Sequence, residues 1–181
     1  ITTMLSGPAA GALGAALIAG TAGFDRVLTC DGGGTSTDVT VVIDGEPTLT
    51  TEGSVGDYPS KIPMIDVVTV GAGGGSIAWL SPEGTLKVGP KSAGADPGPM
   101  CYPNGGDQPT VTDAHVVLGR IPPHLLGGEI PLDTDLAARG LDTLSADLDL
   151  SRERAAEGIR RGAEGYVRQS RRYKRDLRRI D

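Results

Sequence analysis

The pattern of apolar and polar positions along the chain predicts a mixed α/β fold. An uncharged run of small residues predicts a helix from Ser6 to about Ile18, because Ser is a favoured N-cap and Pro8 fits the first helical turn. Short apolar runs separated by glycine-rich turns then predict strands, with Asp44-Gly45 as one hairpin turn and Pro82-Glu83-Gly84 as another. These predicted strands are residues 27–30, 37–43, 48–51, 64–70, 77–80 and 85–88.

The second half of the chain predicts a long loop followed by helices. Residues 89–110 are rich in Gly, Pro, Asp and Asn, and we expect an ordered functional loop there. Thr112 is expected to cap a short helix to Leu118, and Asp133 or Thr134 a second helix to about Arg139. Apolar positions then recur at alternating steps of three and four, which predicts an amphipathic helix whose seam is Ala156, Ile159, Ala163, Tyr166, Ser170, Tyr173, Leu177 and Ile180.

The first helix also raises the question of a membrane span, since Gly7 and Gly11 form a GxxxG pattern. We expect instead a buried helix, because the run is dominated by Ala and Gly, contains Pro8 and has no positively charged leader. The chain has only two cysteines, Cys30 and Cys101, which are too few for a disulfide framework and favour a reducing, cytoplasmic location.

Charge divides the chain into two parts. Residues 1–150 hold 6 Lys or Arg against 18 Asp or Glu, whereas residues 151–181 hold 11 against 5. We therefore expect a lobe over 1–150 and a basic helical tail over 151–181. The apolar seam of this tail indicates packing against the body or a partner helix, and we favour a solvated or partner-facing helix. Its arginines leave binding to nucleic acid or to a membrane surface as less favoured alternatives.

The glycines, 28 in 181 residues, cluster in loops, and this excludes a collagen repeat. One cluster is the segment Asp31-Gly32-Gly33-Gly34-Thr35-Ser36-Thr37-Asp38, between two predicted strands. Glycine lets backbone N–H groups approach phosphate oxygens, and the Thr35 and Thr37 hydroxyls add donors. Asp31 and Asp38 are then expected to hold Mg²⁺ or to orient an attacking water. The alternative is a hairpin turn with polar surface residues.

A second cluster, Gly71, Gly73, Gly74 and Gly75, follows the predicted strand at 64–70 and satisfies a G-x-G-x-x-A pattern. A dinucleotide-binding unit needs a helix after these glycines, and Pro82 arrives too soon for one. No Gly-Lys-Ser/Thr is present, so a Walker A loop is excluded. We expect this cluster to form a wall that faces the 31–38 segment.

Asp96, Asp113 and His115 are candidates for a metal or substrate site. Each also has a structural interpretation. Asp96 precedes Pro97 and suits a turn, Asp113 lies where a helix dipole favours an acid, and His115 suits a packed position. The chain contains only two histidines, which are too few to form a zinc site by themselves.

The 31–38 segment resembles a phosphate motif of the actin, Hsp70 and sugar-kinase superfamily. Five segments in order further resemble the A-type subunit of the hydantoinase/5-oxoprolinase family, over about residues 4–157. They are Leu5 to Gly11, Asp31 to Asp38, Thr69 to Ala78, Gly89 to Pro99 and Thr110 to Ala114.

This resemblance implies one lobe of an α/β actin-like ATPase fold, with a mostly antiparallel sheet and flanking helices. It implies ATP and Mg²⁺ as cofactors and a small cyclic amide, of hydantoin or 5-oxoproline type, as the substrate opened through phosphoryl activation. Ketone carboxylation and a non-catalytic nucleotide-binding remnant are the alternatives. The implied partners are a B-type subunit and the missing lobe, with no membrane.

The chain also departs from the family. An additional Gly-Gly-Thr motif and a later adenosine segment are missing, so we expect a fragment with little or no turnover of its own. Val68 stands where many members have a polar residue such as His, which puts a metal or proton-transfer role at that position in doubt. The resemblance ends near Gly158, which a truncated or frameshifted reading frame would explain.

Overall fold

The computed structural model describes residues 6–51, 53–55, 58–61 and 63–169. Its helices are α1 (Ser6–Thr21), α2 (Val111–Val117), α3 (Thr134–Asp147) and α4 (Arg152–Gln169). Its strands are β1 (Val27–Gly32), β2 (Thr37–Ile43), β3 (Glu46–Pro47), β4 (Leu49–Thr50), β5 (Gly53–Val55), β6 (Tyr58–Ser60), β7 (Met64–Ile65), β8 (Val67–Val70), β9 (Ser76–Leu80), β10 (Leu86–Ser92), β11 (His124–Leu125) and β12 (Ile130–Pro131). The described residues of 6–31 and 38–70 belong to a first compact unit, and those of 32–37 and 71–168 to a second.

The sheet of the first unit is organised around β2. This strand pairs with β1, β3 and β8, and its pairing with β3 is antiparallel. The predicted hairpin at Asp44-Gly45 is confirmed, since both residues have positive φ (55° and 77°), as tight two-residue hairpins require. The returning strand starts at Glu46, earlier than expected, because Pro47 already lies opposite Val42.

Burial along β2 is continuous over four residues. Val39, Thr40, Val41 and Val42 are all buried, so the strand is covered on both faces. Thr40 fits there because its backbone N–H and C=O both bond to the Thr29 hydroxyl.

The apolar run 64–70 forms two strands where one was predicted. Asp66 interrupts it, and its N–H donates to the Thr48 carbonyl at 2.8 Å. β7, before this break, pairs with β4, whereas β8, after it, pairs with β2. One apolar run thus serves two separate pairings.

α1 begins as predicted and ends slightly later. Gly23 has φ 86°, the Gly23 N–H donates to the Gly20 carbonyl, and the Phe24 N–H donates to the Ala19 carbonyl at 2.9 Å. This is the glycine stop known as a Schellman motif. The expectation of a buried helix was only partly right, because Ala12 and Ala16 are buried while Leu13, Leu17 and Ile18 are exposed. No helix in the described ranges is long and apolar enough to cross a membrane.

The second unit packs an antiparallel hairpin against helices. β9 and β10 pair with Leu80 opposite Leu86, which confirms the predicted hairpin, although β10 continues to Ser92. The main core combines this hairpin with α2, α3 and α4 and consists of Ala78, Val88, Val111, Ala114, Leu141, Leu144, Ala156 and Ile159. A second cluster contains Cys101, Val116, Leu132 and Ala137.

Two predicted helix boundaries change. α2 is capped by Thr110 and not by Thr112, because the Thr110 side chain and Asp113 form a reciprocal capping box. α3 is capped by Asp133, one of the two predicted caps, but runs to Asp147, well beyond Arg139. Gly140 lies within this helix and against Met100, where any Cβ would clash.

The amphipathic helix is confirmed over Arg152–Gln169. Ala156 and Ile159 are fully buried, and Gly158 and Gly162 let the helix lie close to β10, where a Cβ on Gly162 would come within 2.8 Å of Val88. The seam residues Ser170, Tyr173, Leu177 and Ile180, and the arginines from 171 onward, lie outside the described residues. The domain boundary at residue 150 stays a prediction.

Replacement of Ile159 tests whether α4 is part of this core. Ile159→Ala is expected to lower the free energy of unfolding by about 2–5 kcal/mol, because it leaves a cavity in a fully buried position. Tyr166→Ala on the same helix is the control, since Tyr166 is 40% exposed. Urea unfolding of both variants measures the difference, and equal effects would contradict the packing described for α4.

Candidate functional site

Two glycine loops contact each other through their backbones in the second unit. The Gly74 N–H donates to the Gly33 carbonyl at 2.9 Å, and the Gly75 N–H donates to the Gly34 carbonyl at 2.5 Å. We call residues 33–34 and 73–75 the glycine clasp. The clasp joins the loop after β1 to the loop after β8, as the expectation of facing loops implied.

The clasp leaves no space for side chains on its second segment, residues 73–75. A Cβ on Gly73 would lie 2.6 Å from the Gly33 carbonyl oxygen, and a Cβ on Gly75 would lie 3.0 Å from that of Gly34. The contact at Gly73 is closer than real Cβ atoms approach and the contact at Gly75 is unusually tight, so the close approach of the two backbones favours glycine at both positions. Gly34 and Gly71 have open space around the Cβ position, and Gly32 is nearly as free.

Two threonines hold the clasp in place. The N–H and the hydroxyl of Thr112, in the first turn of α2, both donate to the Gly74 carbonyl, at 2.8 and 3.0 Å. The Thr37 hydroxyl donates to the Ala72 carbonyl at 2.6 Å. The clasp is therefore fixed both to a helix and to the start of β2.

The clasp also determines which predicted phosphate donors are available. The N–H of Gly33 donates to the Ser36 carbonyl, and that of Gly73 donates to the Ser76 hydroxyl. With Gly74, Gly75 and the Thr37 hydroxyl also bonded, these predicted donors would have to give up protein partners to bind a ligand. Within the described ranges, the N–H groups of Gly34 and Thr35 and the Thr35 hydroxyl donate to no protein atom.

The two aspartates of the 31–38 segment lie in the first unit. Asp31 is exposed on β1 beside α1, where a Cβ on Gly11 would lie 3.5 Å from its Oδ2. Asp38 is half-buried on β2, and its Oδ1 accepts a hydrogen bond of 2.6 Å from the Thr69 hydroxyl. Thr69 on β8 thus orients Asp38, a partner that the sequence pattern did not identify.

Asp113 is fully buried and anchors a loop. Its Oδ2 accepts from the Met100 N–H and from both the N–H and the hydroxyl of Thr110, and its Oδ1 accepts from the Cys101 N–H at 2.8 Å. These contacts support the structural interpretation of Asp113. Burial, and then the nearby Asp113 carboxyl group, raise the pKa of the Cys101 thiol, so this thiol stays protonated.

The proposed metal cluster is not assembled. Asp96 is exposed in the turn after β10, Asp113 is committed to its loop, and His115 is half-buried on α2. In the part of the chain that the structure describes, no three His, Cys, Asp or Glu residues gather as a metal ion requires. Burial first, and then Arg120 and Arg160, lower the pKa of His115, so its imidazole is neutral at pH 7.

A cavity of about 310 Å³ lies beside the clasp, within the second unit. One side is the backbone of Gly33, Gly73 and Gly74, and the other sides come from α2, α4 and the segment after α2. Those sides carry Val111, His115, Ile121, Ala163, Glu164 and Val167. Sequence reasoning found His115 and the glycines but missed Ile121 and Val167, because no local pattern links these distant segments.

The comparisons with known proteins agree with this architecture. The solved ATP-dependent caprolactamase from Pseudomonas jessenii is 41% identical, with a TM-score of 0.79, over 97% of this chain and 25% of that chain. The solved nucleotide-free acetone carboxylase is 31% identical, also with a TM-score of 0.79, over 98% of this chain and 25% of that one. Both likenesses confirm the expected fold class, a mixed α/β fold with antiparallel strand pairs.

The hydantoinase/oxoprolinase family model matches residues 1–176, so the chain belongs to that family. The match extends past Gly158, where the resemblance was expected to end. The caprolactamase subunit alpha of Pseudomonas jessenii is 45% identical over 88% of this chain and 23% of its own length. The acetophenone carboxylase gamma subunit of Aromatoleum aromaticum is 42% identical over 87% of this chain and 22% of its own length. The chain thus spans about a quarter of the length of these relatives.

Paired glycine replacements test the clasp. Gly73→Ala is expected to lower the free energy of unfolding by about 1–3 kcal/mol, because its methyl group meets the Gly33 carbonyl. Gly34→Ala is the matched control and should be neutral or stabilising by about 0.4–1 kcal/mol, since it has open space and no positive φ. Thermal and urea unfolding give both values, and a Gly73→Ala variant as stable as the control would disprove the close approach.

Replacement of Asp113 tests the loop anchor. Asp113→Asn presents an NH₂ group to backbone donors and should cost about 1–3 kcal/mol of unfolding free energy. Asp133→Asn is the control, because Asn caps a helix as well as Asp does and Asp133 is exposed. If urea unfolding showed the same small loss for both variants, the anchoring role of Asp113 would be wrong.

Proposed function

We propose that the chain is part of an ATP-dependent enzyme that opens a cyclic amide through phosphoryl activation. Family membership supports this proposal, and so does the likeness to a caprolactamase described as ATP-dependent. The observation that carries it is the glycine clasp, which holds a loop whose tip, Gly34 and Thr35, has donors that bond to none of the described residues. An unactivated amide is a poor electrophile, and ATP, when bound, supplies the phosphoryl group that activates its oxygen.

The residues at the loop tip fit a phosphate group. Gly34 and Thr35 are exposed and offer two successive N–H groups and one hydroxyl, the kind of donors that phosphate oxygens accept. The bonded N–H groups of Gly33, Gly74 and Gly75 would keep the loop in shape without binding the ligand themselves. In this proposal the bonded groups of the clasp act as a scaffold, and only the N–H groups of Gly34 and Thr35 and the Thr35 hydroxyl contact phosphate.

The two aspartates would serve Mg²⁺ and water. Protein sites for Mg²⁺ commonly use one or two carboxylates together with phosphates and waters. Asp31 is exposed and directly precedes Gly32 in the chain, so we assign it to Mg²⁺. Asp38, held by the Thr69 hydroxyl, would orient the attacking water or add a water-mediated contact to the metal.

Other subunits or lobes would complete the enzyme. The chain spans about a quarter of its relatives, two of which are named as alpha and gamma subunits. We propose that a B-type subunit and a second lobe are needed for turnover, that the chain alone turns over little substrate, and that the enzyme is cytoplasmic.

Ketone carboxylation is the second candidate. The acetone carboxylase structure matches the chain with the same TM-score as the caprolactamase structure. Phosphoryl activation of a carbonyl oxygen would be common to both reactions, so the loop tip suits either one.

Calorimetric titration of Mg·ATP into the full 181-residue chain tests the nucleotide site. Asp31→Ala is expected to weaken binding at least tenfold, because it removes the carboxyl group assigned to Mg²⁺. Asp25→Ala, an exposed aspartate before β1, should bind within twofold of the unaltered chain.

Removal of the metal sharpens the test. Excess EDTA should weaken ATP binding to the unaltered chain and eliminate its advantage over Asp31→Ala. Absence of binding heat, or equal affinities for the unaltered chain and Asp31→Ala with Mg²⁺ present, would refute the nucleotide site.

A further inference from the structure

The cavity beside the glycine clasp has the dimensions of a small-ligand site. Its volume of about 310 Å³ lies at the lower end of the range of about 300–1,000 Å³ for such sites. Because the backbone of Gly33, Gly73 and Gly74 forms one wall, a ligand here would lie against the clasp itself. The cavity therefore suits a compact molecule held next to the proposed phosphate loop.

The remaining walls are mainly apolar. Val111 is buried on α2, and Ile121, Ala163 and Val167 present half-buried aliphatic side chains. Such walls favour the hydrocarbon part of a ligand, since burial of apolar surface is worth about 25 cal/mol per Å². A strongly hydrated ligand would gain little from them.

One polar group in the cavity has no assigned partner. The Thr37 and Thr112 hydroxyls already donate to the Ala72 and Gly74 carbonyls. The ring nitrogens of His115, in contrast, form no hydrogen bond with any residue that the structure describes. Its lowered pKa makes it a neutral imidazole, with one donor and one acceptor nitrogen. An amide N–H or C=O complements either nitrogen.

The charges around the cavity disfavour an anionic ligand. Glu164 lines the cavity, and none of the described residues that line it is cationic. The two arginines that lower the pKa of His115 are paired: Arg160 bonds to Glu157 and Glu164, and Arg120 lies 3.6 Å from Glu157. A carboxylate placed here would lose hydration beside Glu164, and no lining residue that the structure describes carries a cation to pair with it.

We propose that this cavity receives the ring of an uncharged, mostly apolar lactam and that His115 hydrogen-bonds the amide. The inference rests on the proposed function for the amide chemistry and adds the substrate class. Among cyclic amides, the cavity selects neutral rings such as caprolactam over 5-oxoproline, which carries a carboxylate. His115 is then a specificity-determining residue, a role distinct from metal binding.

Ligand-observed NMR titration with the full chain and no nucleotide tests this selectivity. Caprolactam is expected to bind at least tenfold more tightly than 5-oxoproline. Val167→Trp should reduce caprolactam affinity at least tenfold, because the indole occupies the cavity. Tyr166→Trp, on the same helix but outside the cavity lining, is the matched control and should bind as the unaltered chain does.

A second variant tests the hydrogen bond without filling the cavity. His115→Phe keeps an aromatic ring but removes both nitrogens, and we expect a loss of caprolactam affinity of about 2–12-fold, the range of one neutral hydrogen bond. His115→Asn keeps a donor and an acceptor and should retain more affinity than His115→Phe. Equal caprolactam affinity of the unaltered chain and His115→Phe would remove His115 from the site.

Parallel titrations with Mg·ATP separate this inference from the proposed function. If Mg·ATP binds but caprolactam does not, or if Val167→Trp binds caprolactam like the unaltered chain, the cavity assignment is overturned and the nucleotide site stands. Tighter binding of 5-oxoproline than of caprolactam also overturns it. If caprolactam binding follows the variants as expected but Mg·ATP does not bind, the cavity assignment stands and the nucleotide site fails.

Discussion

The backbone hydrogen bonds between Gly74 and Gly33 and between Gly75 and Gly34 are the contact on which the site depends. They form only because neither loop carries a side chain at the crossing, where a Cβ on Gly73 would collide with a carbonyl oxygen. The N–H groups of Gly74 and Gly75 are used in these bonds. Among the described residues of the two loops, the N–H groups of Gly34 and Thr35 at the loop tip therefore remain available to a ligand. The same backbones form one wall of the neighbouring cavity.

The short helix α2 connects the clasp to the rest of the second unit. A helix of seven residues is not stable alone, so its capping box and its buried face must hold it. Two adjacent residues of α2 bond to different parts of the unit. Thr112 bonds to Gly74 in the clasp, whereas Asp113 bonds to the backbone of the loop at Met100 and Cys101. Displacement of α2 would therefore disturb the clasp and the loop together.

Local chemistry explains which parts of the fold could be predicted from the sequence. The Asp44-Gly45 turn, the Asp133 cap and the hairpin after Gly75 depend on residues close in the chain, and each was predicted. The double burial of β2 depends on what covers its two faces. α3 continues through Gly140, which lies against Met100, and neither this contact nor the double burial leaves a local signal.

The candidate site likewise has features that follow from nearby residues and features that depend on distant contacts. The family could be predicted, because five segments that include the glycine clusters resemble it in order. Which N–H groups remain available could not, since this depends on how two distant loops meet. The cavity was missed for the same reason, because Ile121, Ala163 and Val167 come together only in three dimensions.

Residue-resolved amide hydrogen exchange by NMR, with and without Mg·ATP, tests the clasp most directly. We predict slow exchange for Gly74, Gly75 and Thr112 in both states, and fast exchange for Gly34 and Thr35 that slows when Mg·ATP is added. Fast exchange at Gly74 and Gly75 in the free chain would contradict the clasp hydrogen bonds. Unchanged exchange at Gly34 and Thr35 with nucleotide would contradict phosphate binding at the loop tip.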